Sequence, residues 1–235
     1  MITHNWLIQK LNTVDSTQLY AKSFLLQNKQ IVIVANSQTG GYGQYNRQWF
    51  SPIGNLYTSL IIPIVGVIDS KLSYLVVVAL GETMLSFASN CKLQYKWVND
   101  ILINRQKVCG ILCEIVNNHY IIGIGLNLKQ HPKRHQLELS STSALGATSL
   151  KLHGIDITPE VFIQTFLPIF TNLYNKQDFN FIRALWKSRA YKLHEHIIVN
   201  NIHTSVSGVF YDLDTSGRLL IQSTAGIIKI QKGNI

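Results

Sequence analysis

The chain has 235 residues, 46% hydrophobic and 14% charged, and its 21 Lys+Arg against 12 Asp+Glu give a net charge of +9. That length holds one large domain, or one domain with a small appendage, and its apolar content excludes intrinsic disorder. The apolar runs are short and broken, as by Pro63 and Gly66, and no basic-then-apolar leader opens the chain. The expectation is therefore a cytoplasmic protein without a membrane span.

Asp15, Ser16 or Thr17 can cap a helix whose apolar face holds Leu19, Phe24 and Leu25 or Leu26. The β-branched run 31–35 reads as a buried strand, and the polar, Gly-rich stretch 36–46 as a loop. A strand follows over 56–62, then a core helix over 71–89, where Leu72, Leu75, Val76, Ala79, Leu80, Thr83 and Phe87 recur at helical spacing. Strands over 93–97, 101–103, 107–116 and 120–128 come next, joined by hairpin turns at Asn104-Arg-Gln and Asn117-Asn118. Helices are predicted over 142–152, 159–173 (Thr158 as cap, Pro159 at the first helical position) and 179–188. Short strands over 196–200, 205–213, 219–222 and 227–231 end the chain. The pattern reads as an α/β domain over 1–187 followed by a small β-barrel over 188–235.

Three segments can carry chemistry. In Gln38-Thr-Gly-Gly-Tyr-Gly-Gln-Tyr-Asn-Arg-Gln-Trp49, the glycines let backbone N–H groups converge on an anion, Arg47 offers a forked cation and Trp49 a stacking surface. A surface loop is the plainer reading. In Lys96-Trp-Val-Asn-Asp100, Asn99 and Asp100 suit Mg²⁺ or a ribose hydroxyl, or simply a turn. In Lys107-Val-Cys-Gly-Ile-Leu-Cys-Glu114, period two puts Lys107, Cys109, Ile111 and Cys113 on one face. Lys107 then either enters a pocket or snorkels at the strand edge. Cys91, Cys109 and Cys113 lack a C-x-x-C spacing, which favours free buried thiols over a zinc site. His194-Glu-His196 has no third ligand nearby in sequence, and Trp6 reads as a core anchor.

The order and spacing of these segments resemble the biotin–protein ligase family. That family has an Asp-Ser-Thr-Asn element (here Asp15-Ser-Thr-Gln18), a Gly-Arg-Gly-Arg loop ending in Arg-x-Trp, and Lys-Trp-Pro-Asn-Asp. Lys-x-x-Gly-Ile-Leu-x-Glu and Gly-x-Gly-x-Asn follow, the latter here Gly123-Ile-Gly-Leu-Asn127. The resemblance implies a mixed β-sheet in the α/β catalytic domain, an SH3-like β-barrel as the second domain, and an enzyme that joins biotin to ATP as biotinyl-5′-AMP with Mg²⁺. It then passes biotin to a lysine of the biotin carboxyl carrier protein of acetyl-CoA carboxylase. It implies biotin-binding roles for Ser16, Thr17, Gln18, Gln38, Gly41, Tyr42, Gly43, Gln44, Lys107, Gly110, Gly123 and Gly125. It implies ATP-binding roles for Gly41, Arg47, Trp49, Asn99, Lys107 and Asn127, Mg²⁺ at Asp100, and Lys107 and Arg47 as the catalytic pair.

Tyr42 and Gln44 stand where the family has arginine, and Val98 where it has proline. An amide in place of a guanidinium facing an anion forgoes roughly 1.5–3 kcal/mol, so a loosely held adenylate is expected. Two other readings stay open: an acyl ligase for lipoate or octanoate, and a catalytically weak biotin-binding protein. Nucleic acid is not expected as a partner, because only 14 residues precede Asp15 where a DNA-binding module would stand. A homodimer is left open.

Overall fold

The computed structural model describes residues 1–25, 29–64, 71–139, 145–200 and 204–235. Strands β1 (Leu7–Val14), β2 (Ile31–Gln38), β3 (Leu56–Pro63), β4 (Leu93–Lys96), β5 (Asp100–Ile103), β6 (Gln106–Val116) and β7 (His119–Leu126) form one mixed sheet, in the order β1-β2-β3-β7-β6-β5-β4. Strands β1 and β2 run parallel and the other neighbours antiparallel. The two predicted hairpin turns form as two-residue turns with positive φ at Asn104, Arg105, Asn117 and Asn118, the backbone that asparagine tolerates and strand twist requires.

The two faces of the sheet have different occupants. On one face, Val32, Leu60, Ile62, Ile122, Ile124 and Leu126 join the main core. Helix α2 (Leu72–Phe87) packs there against helices α4 (Pro159–Lys176) and α5 (Phe179–Lys187). On the other face, the short helix α1 (Thr17–Ala21) lies over β2, β3 and β7, with Ala21, Ile31, Ile33, Ile61 and Ile121 beneath it. Alternation along β7 therefore puts Gly123 and Gly125 on the α1 face beyond Ile121, where Gln18 of α1 reaches Gly123 and Trp49 lies over Gly125.

Four strands, β8 (His196–Asn200), β9 (Ser205–Leu213), β10 (Leu219–Ser223) and β11 (Gly226–Ile230), form a second, antiparallel sheet. Asn200 and Asn234 exchange backbone hydrogen bonds of 2.9 and 3.0 Å, which draws the chain beyond β11 back to β8 in a barrel-like manner. The core of this sheet, with Val199, Phe210, Leu213 and Ile221, is continuous with the main one. Tyr74 on α2 bridges the two parts: its hydroxyl donates to the Gly217 carbonyl at 2.5 Å and accepts from Trp97 Nε1 at 2.8 Å.

Several expectations change. The sequence carried no sign of β1, an edge strand exposed along most of its length. The first helix is one turn long, capped by Ser16, and continues as a 3₁₀ turn over Lys22–Phe24. The helix predicted over 142–152 lies partly outside the described residues. From 145 onward the chain is extended, Ala147 bridging Lys107, and only Leu150–His153 turns, as 3₁₀. Backbone bonds to Lys107 there take the groups a helix would have used internally. Asp100, which the sequence left to a possible turn, opens β5 opposite Lys96, after the turn 97–99. Short helix α3 (Arg134–Leu139) was likewise not foreseen.

The face assigned to Lys107 is also corrected. Pairing between β5 and β6 runs Asp100↔Gly110 and Ile101↔Cys109, then Leu102↔Lys107, so Val108 is an extra, bulged residue. A bulge shifts the alternation by one. Val108 and Cys109 both enter the core, while Lys107 turns to the α1 face with Gly110.

Candidate active site

The glycine-bearing part of the α1 face floors a cavity of about 860 Å³. Gly110 of β6 faces Gly125 of β7, and Leu112 faces Gly123. These glycines let other side chains lie against the sheet. A Cβ at Gly123 would stand 2.6 Å from Gln18 Oε1, one at Gly110 would stand 2.9 Å from the Trp49 ring, and one at Gly125 would collide with that ring. Two residues of β7, about 6–7 Å of strand, thus separate a Gln18 end from a Trp49 end.

The Gln18 end is lined by uncharged side chains and densely bonded. Ser16 Oγ accepts the N–H groups of Gln18 and Leu19 as the cap of α1, at 3.2 and 3.4 Å. Gln38 Oε1 accepts from the Thr17 N–H at 2.8 Å and from its hydroxyl at 3.2 Å. Ser59 Oγ lies 3.0 Å from both Thr17 Oγ1 and Gln18 Oε1, and the Gln18 amide donates to Glu114 Oε2 at 2.9 Å. Tyr42 stands close by, its pKa raised by burial and by Glu114.

The Trp49 end is cationic. Lys107 Nζ pairs with Asp100 Oδ1 at 2.7 Å and lies 5.2 Å from the Trp49 ring centre. Its own N–H and carbonyl bond to Gly146 and Thr148, which fixes the bulged backbone that aims it. Arg47 hangs from the tip of the loop, which is a small hairpin: Tyr42 bridges Gln48, and the Trp49 N–H donates to the Gly41 carbonyl at 2.8 Å. Lys96 is 5% exposed. Burial lowers its pKa from the ordinary 10.5; Asp100 opposes the fall, and Lys107, Arg47 and Lys192 add to it. Two buried polar atoms of lining residues, Trp49 Nε1 and Asn127 Oδ1, have no hydrogen-bond partner within the chain, so the cavity wall offers one unused donor and one unused acceptor.

Of the residues given a binding or catalytic role from sequence, all but Gly41 line this cavity, and they come from β2, β5, β6, β7 and the residue after it, α1 and its cap, the loop and the 97–99 turn. Gly41 sits behind it, where a Cβ would meet Gln38 Nε2 and Ser51 Oγ at 2.6 Å. Sequence reasoning gave no role to Lys96, Ser59, Lys192 or Tyr191. Alternation in β4 sets Lys96 with Gln94, on the face opposite the core residues Leu93 and Tyr95, a pattern that by itself reads as a solvated face; Lys192 left no signal, because tertiary pairing alone brings it here. His194 and His196 are exposed, and no cluster of three metal-ligating side chains exists among the described residues. The three cysteines are unpaired.

Comparison with known proteins fits this geometry. The sequence model of the biotin/lipoate A/B protein ligase family matches residues 11–127. The biotin–[acetyl-CoA-carboxylase] ligase of Paracoccus denitrificans is 31% identical, over 83% of this chain and 85% of its own. The bifunctional ligase/repressor BirA of Bacillus subtilis is 32% identical, over 95% of this chain and 72% of its own. The fold is similar to that of the biotin protein ligase from Aquifex aeolicus solved with biotin and ATP (TM-score 0.83, 24% identity, 97% of each chain). With two relatives above 30% identity along most of their length and the family's motifs gathered around one cavity, the chain belongs to the biotin/lipoate A/B protein ligase family, on its biotin–protein ligase branch.

Proposed function

We propose that the protein is an ATP-dependent biotin–protein ligase working in two half-reactions. First, a biotin carboxylate oxygen attacks the α-phosphorus of ATP, giving biotinyl-5′-AMP and pyrophosphate. Then a lysine amine of the biotin carboxyl carrier protein of acetyl-CoA carboxylase attacks the acyl carbon, and AMP leaves. The observation that carries this reading is the polarity of the cavity. Biotin has an uncharged, hydrogen-bonding ureido head and a carboxylate at the end of an aliphatic chain. The floor between the Gln18 and Trp49 ends matches that order: neutral donors and acceptors, then Gly and Leu, then cations.

In this reading Ser16, Thr17, Gln18 and Gln38 hold the ureido head. Ser16 Oγ already accepts two N–H groups, which leaves its own O–H for a ligand. Gly110, Gly123 and Gly125 floor the site, and Gly41, Tyr42, Gly43 and Gln44 form the lid that keeps water from the mixed anhydride. Lys107 and Arg47 draw the two anions together, catalysis by fixed charge. Asp100 holds Lys107 until a carboxylate or phosphate oxygen takes over that pairing. Trp49, Asn99 and Asn127 serve the nucleotide. Mg²⁺ would enter as MgATP; one carboxylate, Asp100, and the free Oδ1 of Asn127, which line the same cavity, suit an ion bound chiefly by phosphate. Residues 1–187 are the catalytic unit and 188–235 the appended barrel in this reading, and the unpaired cysteines suit a cytoplasmic enzyme.

Biotin fits better than lipoate, whose apolar ring would bury the Ser16–Gln38 groups without giving them partners. Isotope exchange between ATP and pyrophosphate should depend on biotin and be feeble with lipoate or octanoate; equal exchange with either would overturn the choice of substrate. Lys107→Ala should lower biotin-dependent exchange at least 100-fold while the variant stays folded, and near-normal exchange would remove Lys107 from its role.

A further inference from the structure

The cationic end holds more positive charge than Lys107 and Arg47 supply, and the surplus comes from Lys96 and Lys192. Lys96 ends β4, is 5% exposed, and has no ion pair among the described residues. Lys192 arrives on the segment after α5. Tyr95 of β4 donates its N–H to the Arg189 carbonyl at 2.7 Å and accepts the Tyr191 N–H at 2.8 Å. Residues 189–191 therefore lie along the outer edge of β4 and hand the next side chain to the cavity, which Lys192 lines beside Lys96. The Lys192 backbone is left-handed, with φ of 59°, a conformation that costs free energy for a residue carrying a Cβ and persists where the surroundings enforce it. Among the described lining residues Asp100 is the one acidic side chain, and Lys107 already occupies it. Four cations (Arg47, Lys96, Lys107 and Lys192) thus face one engaged carboxylate. A sheltered cluster of like charge is unfavourable by itself and becomes favourable when a multiply charged anion enters.

We propose that Lys192, together with Lys96, receives the leaving group, holding the β- and γ-phosphates of ATP and then pyrophosphate. This rests on the ligase reading above. As the carboxylate oxygen bonds to the α-phosphorus, the bond from that phosphorus to the α–β bridging oxygen breaks. The electron pair departs with the bridging oxygen, and the two ammonium groups stabilise the charge that grows there. No proton is gained or lost. The segment leading into the small sheet thereby takes part in the first half-reaction alone, because the transfer step releases no pyrophosphate.

Lys192→Met and Lys192→Arg in the full chain test this. Calorimetry with inorganic pyrophosphate and Mg²⁺, and separately with biotin, reads the two ends of the cavity. Lys192→Met should weaken pyrophosphate binding and raise the KM for ATP in biotin-dependent exchange by on the order of ten- to a hundredfold, with Lys192→Arg recovering most of the loss. Biotin affinity and single-turnover transfer from preformed biotinyl-5′-AMP should stay within about twofold. Unchanged pyrophosphate binding in Lys192→Met would overturn the proposal, as would a parallel loss in biotin affinity and transfer, which marks a structural role. A wild-type chain that binds pyrophosphate but not biotin would overturn the ligase reading instead, and the pyrophosphate measurement would still decide the role of Lys192.

Discussion

Lys96 shows how a single residue can be disfavoured in the folded chain and still belong to the site. Its charge is desolvated and faced by Lys107, Arg47 and Lys192, with Asp100 alone opposing them. Replacing it with methionine keeps the aliphatic stem and removes the charge. Lys96→Met should therefore raise the melting temperature of the unliganded protein by a few degrees at pH 7 while weakening MgATP binding at least tenfold, the usual opposition between stability and function at a site. A lower melting temperature in this variant would show that the fold compensates the charge. Lys107 is the contrasting case: it has a partner at 2.7 Å, so its charge does not weigh on the fold in the same way.

At the scale of elements, β7 and α4 make separable predictions. Gly125 of β7 lies under the Trp49 ring, and a Cβ there collides with it. Gly125→Ala should displace Trp49, shifting its fluorescence and weakening MgATP binding severalfold, with little change in overall stability because the residue faces the cavity. An unmoved emission spectrum would contradict the contact. On α4, the Tyr174 hydroxyl is buried without a hydrogen-bond partner, and burial, with Tyr120 adding to it, pushes its pKa up to about 12. A tyrosine whose folded pKa lies above its unfolded value near 10.0 adds a stability difference that is fully present below pH 10 and is lost as pH rises toward 12. Tyr174→Phe should thus be neutral or stabilising at pH 8 in urea denaturation and gain further on wild type by pH 11; a gap constant over that range would refute the shift.

At the scale of the whole molecule, the two sheets share one apolar core. Trp186 of α5 packs against Phe210 of β9 with ring centres 6.5 Å apart, and Tyr74 ties the Trp97 turn to Gly217 through its hydroxyl. The Trp97 turn carries Asn99 and Asp100, so the small sheet braces the segment that presents them. The segment ahead of β8 also delivers Lys192. Loss of the small sheet would expose this core and release that turn, so calorimetric unfolding of the full chain should show a single transition. Two resolved transitions would mean that the sheets are energetically independent.

The sequence by itself determined the elements with strong local signals. These are the heptad-like apolar spacing of α2, the β-branched run of β2, the asparagine hairpin turns, and the Thr158-Pro159 start of α4. It also determined the motif set, because each motif is contiguous and its chemistry follows from residue type. The tertiary structure decided what depends on long-range pairing: the exposed edge strand β1, the extended course of the chain near Ala147, the Val108 bulge that turns Lys107 into the cavity, and the arrival of Lys192. The physical reason is the same in each case. A bulge, an edge pairing or a bridge satisfies backbone groups with partners far along the chain, and no local periodicity records where those partners are.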